Sequence, residues 1–480
     1  MSPLANEKSD SVTVRPAPGR YWLRPLAGLA ALVTTACEDG RVILPTADVV
    51  SADAGERALD GGLGEREPAE GWSSTDSAAP APQARARSCE PPIGACSAPT
   101  VRVTEINLSQ PVVTPRRADS DLEPLPFAIS PILSGGSRLA WMGTDERVYL
   151  AELDCDDQMT APPVSFPAHD FQDLYADDEG GVLLVTRAAE GEGAAHCGAG
   201  PLCGAPKPDA CFDMYLVRFD RAGHELWSTK LTRTAADREP YDAGARFVWE
   251  AYQHHGRIAH NGSDFAAYFC IGITVQNNSC VDIHEGDRMQ VVNPAGALVE
   301  NHPDAFEVGC SHSWTPRMVW DPRSARFVTV CATDNNCRLA RSGSQTIVHA
   351  TCDGHFFGGD VVLAPDTGFW TSYSSGGTIR LAHFVTAAAD RELGDVGGGD
   401  FSHLVAYGQD RMIVAWGAGP ALKAQVRDAV TGATLGSFDI DVPDHPFQAF
   451  RAFPDGSAAF PAQGASSGTV RIARVMPCAP

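Results

Sequence analysis

From Thr100 onward, short apolar runs of about four to six residues alternate with Gly, Asp and Pro turns. No long stretch carries the 3.6-residue period of a helix, so the pattern predicts strands joined by tight turns. One unit recurs, a turn followed by an apolar strand. Ser137 precedes Leu139-Ala140-Trp141-Met142, Glu179-Gly180 precedes Val182-Leu183-Leu184-Val185, and Asn261-Gly262 precedes Phe265 to Phe269. Asp321 to Ser324 precede Phe327 to Val330, and Asp366-Thr367-Gly368 precede Phe369-Trp370. Gln409-Asp410 precede Met412 to Trp416, and Asp455-Gly456 precede Ala458 to Phe460. The copies centre near 137, 179, 262, 323, 366, 409 and 456. Most gaps between them match the roughly 40 to 50 residues of a four-stranded propeller blade, and the two longer gaps contain insertions. A second strand follows each copy, as in Val148-Tyr149-Leu150, Tyr215-Leu216-Val217 and Leu422 to Val426. Several continue through a further turn, as in Phe219 to Trp227 and Val292 to Leu298.

This texture, over about residues 100–480, resembles the β-propeller repeats of secreted bacterial proteins. In those repeats an outer strand turns at Asp-x-x-Gly into the next blade. The resemblance implies an all-β fold, a seven-bladed β-propeller whose closed ring protects its sheet edges. The alternative is two packed β-sandwiches. With strands lettered A to D from the axis outward, the recurring tight turn is expected between B and C, and the second strand as D. The A–B and C–D connections then open on one face, and the B–C and D–A connections on the other.

The N-terminus has a different character. Arg15, Arg20 and Arg24 precede a short apolar run, Leu26 to Val33, that leads into Thr34-Thr35-Ala36-Cys37. A membrane-spanning helix needs about 20 apolar residues, so this run has the proportions of a signal peptide. The small residues before Cys37 resemble the bacterial lipobox, departing from it at Thr34, where leucine is usual. The expected organisation is a lipoprotein-type signal peptide at 1–36, a tether at 37–98 and the propeller at 99–480. Cys37 is the expected lipidation site, and an ordinary cleaved signal is the alternative. The tether is rich in Ala, Pro, Gly and acidic residues and buries too little apolar surface to fold. The protein is expected to be exported and held through a lipid anchor at the outer membrane or cell surface.

Apolar residues make up 44% of the 480 residues, enough for a substantial core, while the formal net charge is −23. That charge repels a polyanion, which argues against nucleic acid as a partner and against docking on anionic lipid through a basic patch. The chain is expected to be monomeric. Its 14 cysteines include no paired CxxC motifs, so they suggest disulfides in an oxidising compartment and not structural zinc. Short spacings point to local staples at Cys89/Cys96, Cys270/Cys280 and Cys331/Cys337. Cys155 is a candidate fourth partner for Cys197, Cys203 and Cys211, and Cys310/Cys352 is a candidate bridge.

Six histidines stand upstream of the recurring turns: His169, His255, His312, His355, His403 and His445. On the propeller they fall near the axis in six of seven blades, and imidazole suits copper, iron or zinc. The propeller resemblance implies the same, since some seven-bladed propeller oxygenases hold iron with four inner-strand histidines. A second candidate is Asp282 to Asp287, containing His284, Glu285 and Asp287, placed in an inserted C–D loop of the third blade. Carboxylates beside a histidine offer metal ligands or an acid/base pair, and Gly286 would let the loop turn sharply. Gly309 to Trp314 open on the same face. The plain alternative is exposed loop histidines and a solvated turn. Asp154 to Asp157 and Asp177 to Glu179 are acidic, but their spacing fits no EF-hand. The G-x-S-x-G, H-E-x-x-H, Walker A and Rossmann signatures are absent. Two functions follow as expectations. One is a surface-anchored module recognising protein or glycan, with Trp314, Trp370 and Trp416 as candidate contacts. The other is an extracytoplasmic enzyme using a divalent transition metal (copper, iron or zinc).

Overall fold

Each apolar run that follows a tight turn is the second strand of an antiparallel sheet. The computed structural model describes residues 89, 98–113, 126–188, 212–232, 240–241, 244–249, 256–277, 280–310, 315, 317–333, 337–350, 356–417, 419–445 and 447–477. All lie in the compact unit Ser77–Pro480. The expected signal peptide, Cys37 and nearly all of the tether lie outside them.

Every described element is a strand. The first sheet has Phe127–Pro131, Ser137–Met142, Arg147–Leu153 and Val164–Pro167 in spatial order. The second has Asp170–Asp177, Gly180–Ala188, Phe212–Asp220 and Glu225–Lys230. The third is built on Arg257–His260, Phe265–Asn277 and Cys280–Val292. The fourth has Arg317–Asp321, Arg326–Thr333, Arg338–Arg341 and Gln345–His349. Phe357–Leu363, Phe369–Ser375, Thr378–Phe384 and Ala389–Gly398 form the fifth. Ser402–Tyr407, Arg411–Gly417, Leu422–Asp428 and Thr434–Ile440 form the sixth. The seventh runs Arg451–Ala452, Ala458–Gln463, Thr469–Val475 and, last, Val101–Asn107.

The first strands of successive sheets lie side by side in a closed ring, so the fold is a seven-bladed β-propeller. Seven apolar clusters fill the seven gaps between neighbouring blades. Both faces of each sheet are therefore buried, which is why the second strands read as continuous apolar runs. Ser137–Met142 is buried at every position. The N-terminal strand of the domain closes the ring, pairing antiparallel from Val101↔Val475 to Asn107↔Thr469. Its pairing hides the outer edge of the last blade.

The strand letters shift by one from expectation. The tight turns join A to B, and the second strand is C. Several innermost strands carry charge and some are short, as in Arg257–His260 and Arg451–Ala452, so they do not stand out as apolar runs. Their positions upstream of the turns therefore open on the D–A and B–C face. Gly286 lies within a strand, opposite Ile271, and makes no turn.

The two faces differ in elaboration. The A–B turns are short, at 132–136, 178–179, 261–264, 322–325, 364–368, 408–410 and 453–457. On the A–B side, 154–163 and 293–316 leave their third strands, while the long B–C and D–A connections 108–126, 189–211, 231–256 and 441–450 leave from the opposite face. There too the hairpin of the third blade outgrows its sheet. Arg257–His260 pairs only with Phe265 to Tyr268, while the far end of the hairpin pairs with Gly244–Trp249.

The disulfides follow the fold and not the spacing. Cys89 pairs with Cys155, 66 residues away, and Cys310 pairs with Cys331. These replace the expected Cys89/Cys96, Cys331/Cys337 and Cys310/Cys352 bridges and the pairing of Cys155 with the 197–211 group. Cys270 is a buried thiol, so the Cys270/Cys280 staple is also overturned. Cys337 is also disulfide-bonded, though not to Cys331. The physical reason is that neighbouring strands and loops meet across the ring, where sequence distance carries no information. The Cys89–Cys155 bridge ties the segment ahead of the closing strand to the first blade. Cys155→Ser should lower stability by about 2–4 kcal/mol, read from urea unfolding without reductant; an unchanged midpoint would show that the bridge constrains nothing.

Trp370 and Trp416 are blade core and not contact residues. Trp370 is fully buried, and its indole N–H donates to the Ala429 carbonyl at 2.8 Å. Trp416 packs so closely on Gly397 that a Cβ there would lie 2.2 Å from the indole. Trp314 lies outside the described residues.

Candidate functional site

At the axis, one position of the innermost strand carries an ionisable side chain in six consecutive blades. These are Asp173, Arg257, Arg317, Asp360, His403 and Arg451, each five or six residues before its blade's turn centre. Arg257, Arg317 and Arg451 are the first residues of their strands, at the D–A end. All but Arg451 are buried, and Arg451 is half-buried.

The charges are paired across blades. Arg451 is salt-bridged to Asp173. Arg317 Nε meets Asp360 Oδ1 at 2.5 Å. His403 sits between two carboxylates, with Nε2 2.7 Å from Asp444 and Nδ1 3.9 Å from Asp360. The carboxylates also fasten the neighbouring backbone. Asp173 accepts from the Ile258 N–H at 2.8 Å, and Asp360 from the Leu404 N–H at 3.1 Å. Burial opposes ionisation of Asp444, but the charge and hydrogen bond of His403 hold its carboxyl below the ordinary range.

Arg257 differs from the other two arginines. Its hydrogen bonds go to backbone carbonyls, those of Gly256 and Phe447, each at 3.0 Å. Burial, first of all, drives its guanidinium well below its usual affinity for the proton, and the nearby Arg317 and Arg451 add to this. Asp173 and Asp360 oppose it from a distance. Arg257, Arg317, Arg451 and Asp360 line an axial cavity of about 210 Å³ whose remaining walls include Val319, Leu363 and Val405.

The histidines do not share one environment. His169 stacks on Phe212 of the second blade's third strand, with centroids 3.6 Å apart. His445 lies near His403 and Asp444, and burial pushes its imidazole down to about 4, so it is neutral at pH 7. His403 is the histidine at the shared axial position. His255, His312 and His355 lie outside the described residues. His284 and Glu285 stand opposite Ile273 and Gly272 on the extended hairpin, in a strand and not in a C–D loop. Asp287 is fully buried, and the Tyr268 hydroxyl donates to it. Among the described residues, Asp287, Cys310 and Cys331 form one cluster with metal-ligand spacing. Its two sulfurs are joined to each other, so they are not the thiolates that a metal requires.

The acidic turns are occupied by the protein itself. Asp157 bonds Arg474 and Arg102, Asp156 bonds Arg102 at 2.7 Å, and Asp154 accepts the backbone N–H groups of Asp156 and Gln158. Asp177 meets Arg218 at 2.6 Å. The axial arginines carry no motif of their own in the sequence. The usable signal was an ionisable residue at a near-constant offset before each turn, whereas the histidine offsets vary.

No protein-family model matches the chain. No curated protein sequence matches it. Similar solved structures include a protein of unknown function from Dyadobacter fermentans, at 12% identity and TM-score 0.40, covering 78% of this chain and 99% of that one. Virginiamycin B lyase from Staphylococcus aureus is similar at 11% identity and TM-score 0.43, covering 78% of this chain and 100% of that one. The Dos1 propeller is similar at 12% identity and TM-score 0.38, covering 70% of this chain and 75% of that one.

Proposed function

We propose that this protein is an exported recognition module, anchored through lipid at Cys37, that binds a protein or glycan with its D–A and B–C face. The observation that carries this reading is the asymmetry of the disc. Four long connections and the overgrown hairpin lie on that face, while all seven A–B turns on the other are short. Binding residues concentrate on loops held by a rigid scaffold. The acidic chain disfavours nucleic acid, and the sequence before Cys37 supports export.

The test is a glycan and extracellular-protein binding screen with the full chain. Replacing 189–211 with a two-residue turn should abolish binding of any partner found, while Glu179→Ser on the opposite face should leave it unchanged. A screen without partners, or binding indifferent to the loop, would overturn the reading. Stoichiometric copper, iron or zinc in the purified protein, lost on His403→Ala, would favour the metal-dependent enzyme instead.

A further inference from the structure

We infer that the axial cavity binds a small organic monocarboxylate, with the Arg257 guanidinium as its anchor. This stands apart from recognition on the D–A and B–C face, since it concerns a small molecule inside the ring. Three arginines converge there, and two are matched by carboxylates: Arg317 by Asp360, and Arg451 by Asp173. The third carboxylate, Asp444, is matched by His403. Arg257 meets two backbone carbonyls, which carry partial charge only. Among the described residues it has no carboxylate partner, although it is 3% exposed.

A buried cation is costly unless it is paired. A guanidinium also offers five donors in a planar fork, and a carboxylate matches two of them at once. One positive charge lacking a carboxylate calls for a single negative charge. The walls at Val319, Leu363 and Val405 are aliphatic, which favours an apolar body behind the carboxylate over a fully hydrated inorganic ion. A cavity of about 210 Å³ leaves room for a few carbon atoms. The ring's first-position arginines place the charged end of the ligand at the D–A mouth of the channel.

The experiment is titration of the full chain with acetate, butyrate and inorganic phosphate at constant ionic strength, followed by calorimetry and thermal unfolding. The expected result is saturable binding of the carboxylates, tighter for butyrate than acetate, with a rise in Tm. Arg257→Gln should weaken that binding at least tenfold. No saturable binding to the unsubstituted protein would overturn the site, and that titration decides by itself should Arg257→Gln fail to fold. Phosphate binding more tightly than either carboxylate would overturn the ligand class. Unchanged butyrate affinity in a folded Arg257→Gln protein would overturn the anchor. A partner found on the outer face changes none of these outcomes.

Discussion

Asp157→Asn is expected to destabilise the propeller by about 3–5 kcal/mol, because it strips the carboxylate from a buried arginine. Asp157 is fully buried in the C–D turn of the first blade. It bonds Arg474 of the seventh blade, with Nε 2.9 Å from Oδ2, and the same oxygen accepts from Arg102 of the closing strand at 3.0 Å. Arg474 is 3% exposed, donates to Ser457 Oγ at 3.1 Å and lies 3.9 Å over the Phe453 ring. Asparagine keeps the size of the side chain and tolerates the left-handed backbone at φ 60°, so the change isolates the charge. The measurement is urea unfolding of the two proteins. A loss below about 1 kcal/mol, the scale of an exposed pair, would show that this contact does not lock the ring. Arg474→Met placed on Asp157→Asn should recover part of the loss, since the unpaired charge is then gone.

The second large effect is on pH dependence. Burial pushes the Asp287 carboxyl from 3.8 up to about 7, against the lowering from the Tyr268 hydroxyl and the Cys310 backbone N–H. A carboxyl raised in the folded state keeps its proton while the unfolded chain has lost its own. Its contribution is therefore full below about pH 4 and is lost as pH rises through about 7. At 1.36 kcal/mol per unit, the loss is on the order of 4 kcal/mol. Asp287→Asn has no proton to lose, so its stability relative to the unsubstituted protein should climb between pH 4 and pH 7 and then level off. Unfolding free energies at several pH values give that difference directly. A difference independent of pH would mean that Asp287 is not held protonated. The hydroxyl of Tyr268 remains a donor to the asparagine oxygen, which limits any structural cost.

What was legible in the sequence is what burial on both faces writes into it. Leu139-Ala140-Trp141-Met142 sits between two blades and has no polar position, so it stands out as a run after its turn. Repeating that signal seven times revealed the ring. The innermost strands were illegible by the same criterion. Arg317–Asp321 and Arg451–Ala452 begin with an arginine that faces a channel where charge is paired with charge, and they leave an apolar run of three residues in the one and none in the other. Hence the letters slipped by one strand. The closing strand Val101–Asn107 alternates in burial and pairs with Thr469–Val475 at the far end of the domain. Nothing local marks such a partner. The disulfides failed for this reason too: Cys155 meets Cys89, and Cys310 meets Cys331, through the fold. Within the candidate site, His403 was found as a histidine among six, but its role beside Asp444 and Asp360 is a matter of geometry.

The pairing of Val101–Asn107 with Thr469–Val475 also sets an order in time. During synthesis the closing strand is made first and its partner last. For the whole interval between, the early strand has no edge to join, and the seventh blade does not yet exist. Contacts between residues this far apart form late, after the entropy of closing so large a loop has been met. The outer half of the last blade is thus sealed as a final event, and a chain halted before 451 would lack the seventh blade and leave the ring an open arc.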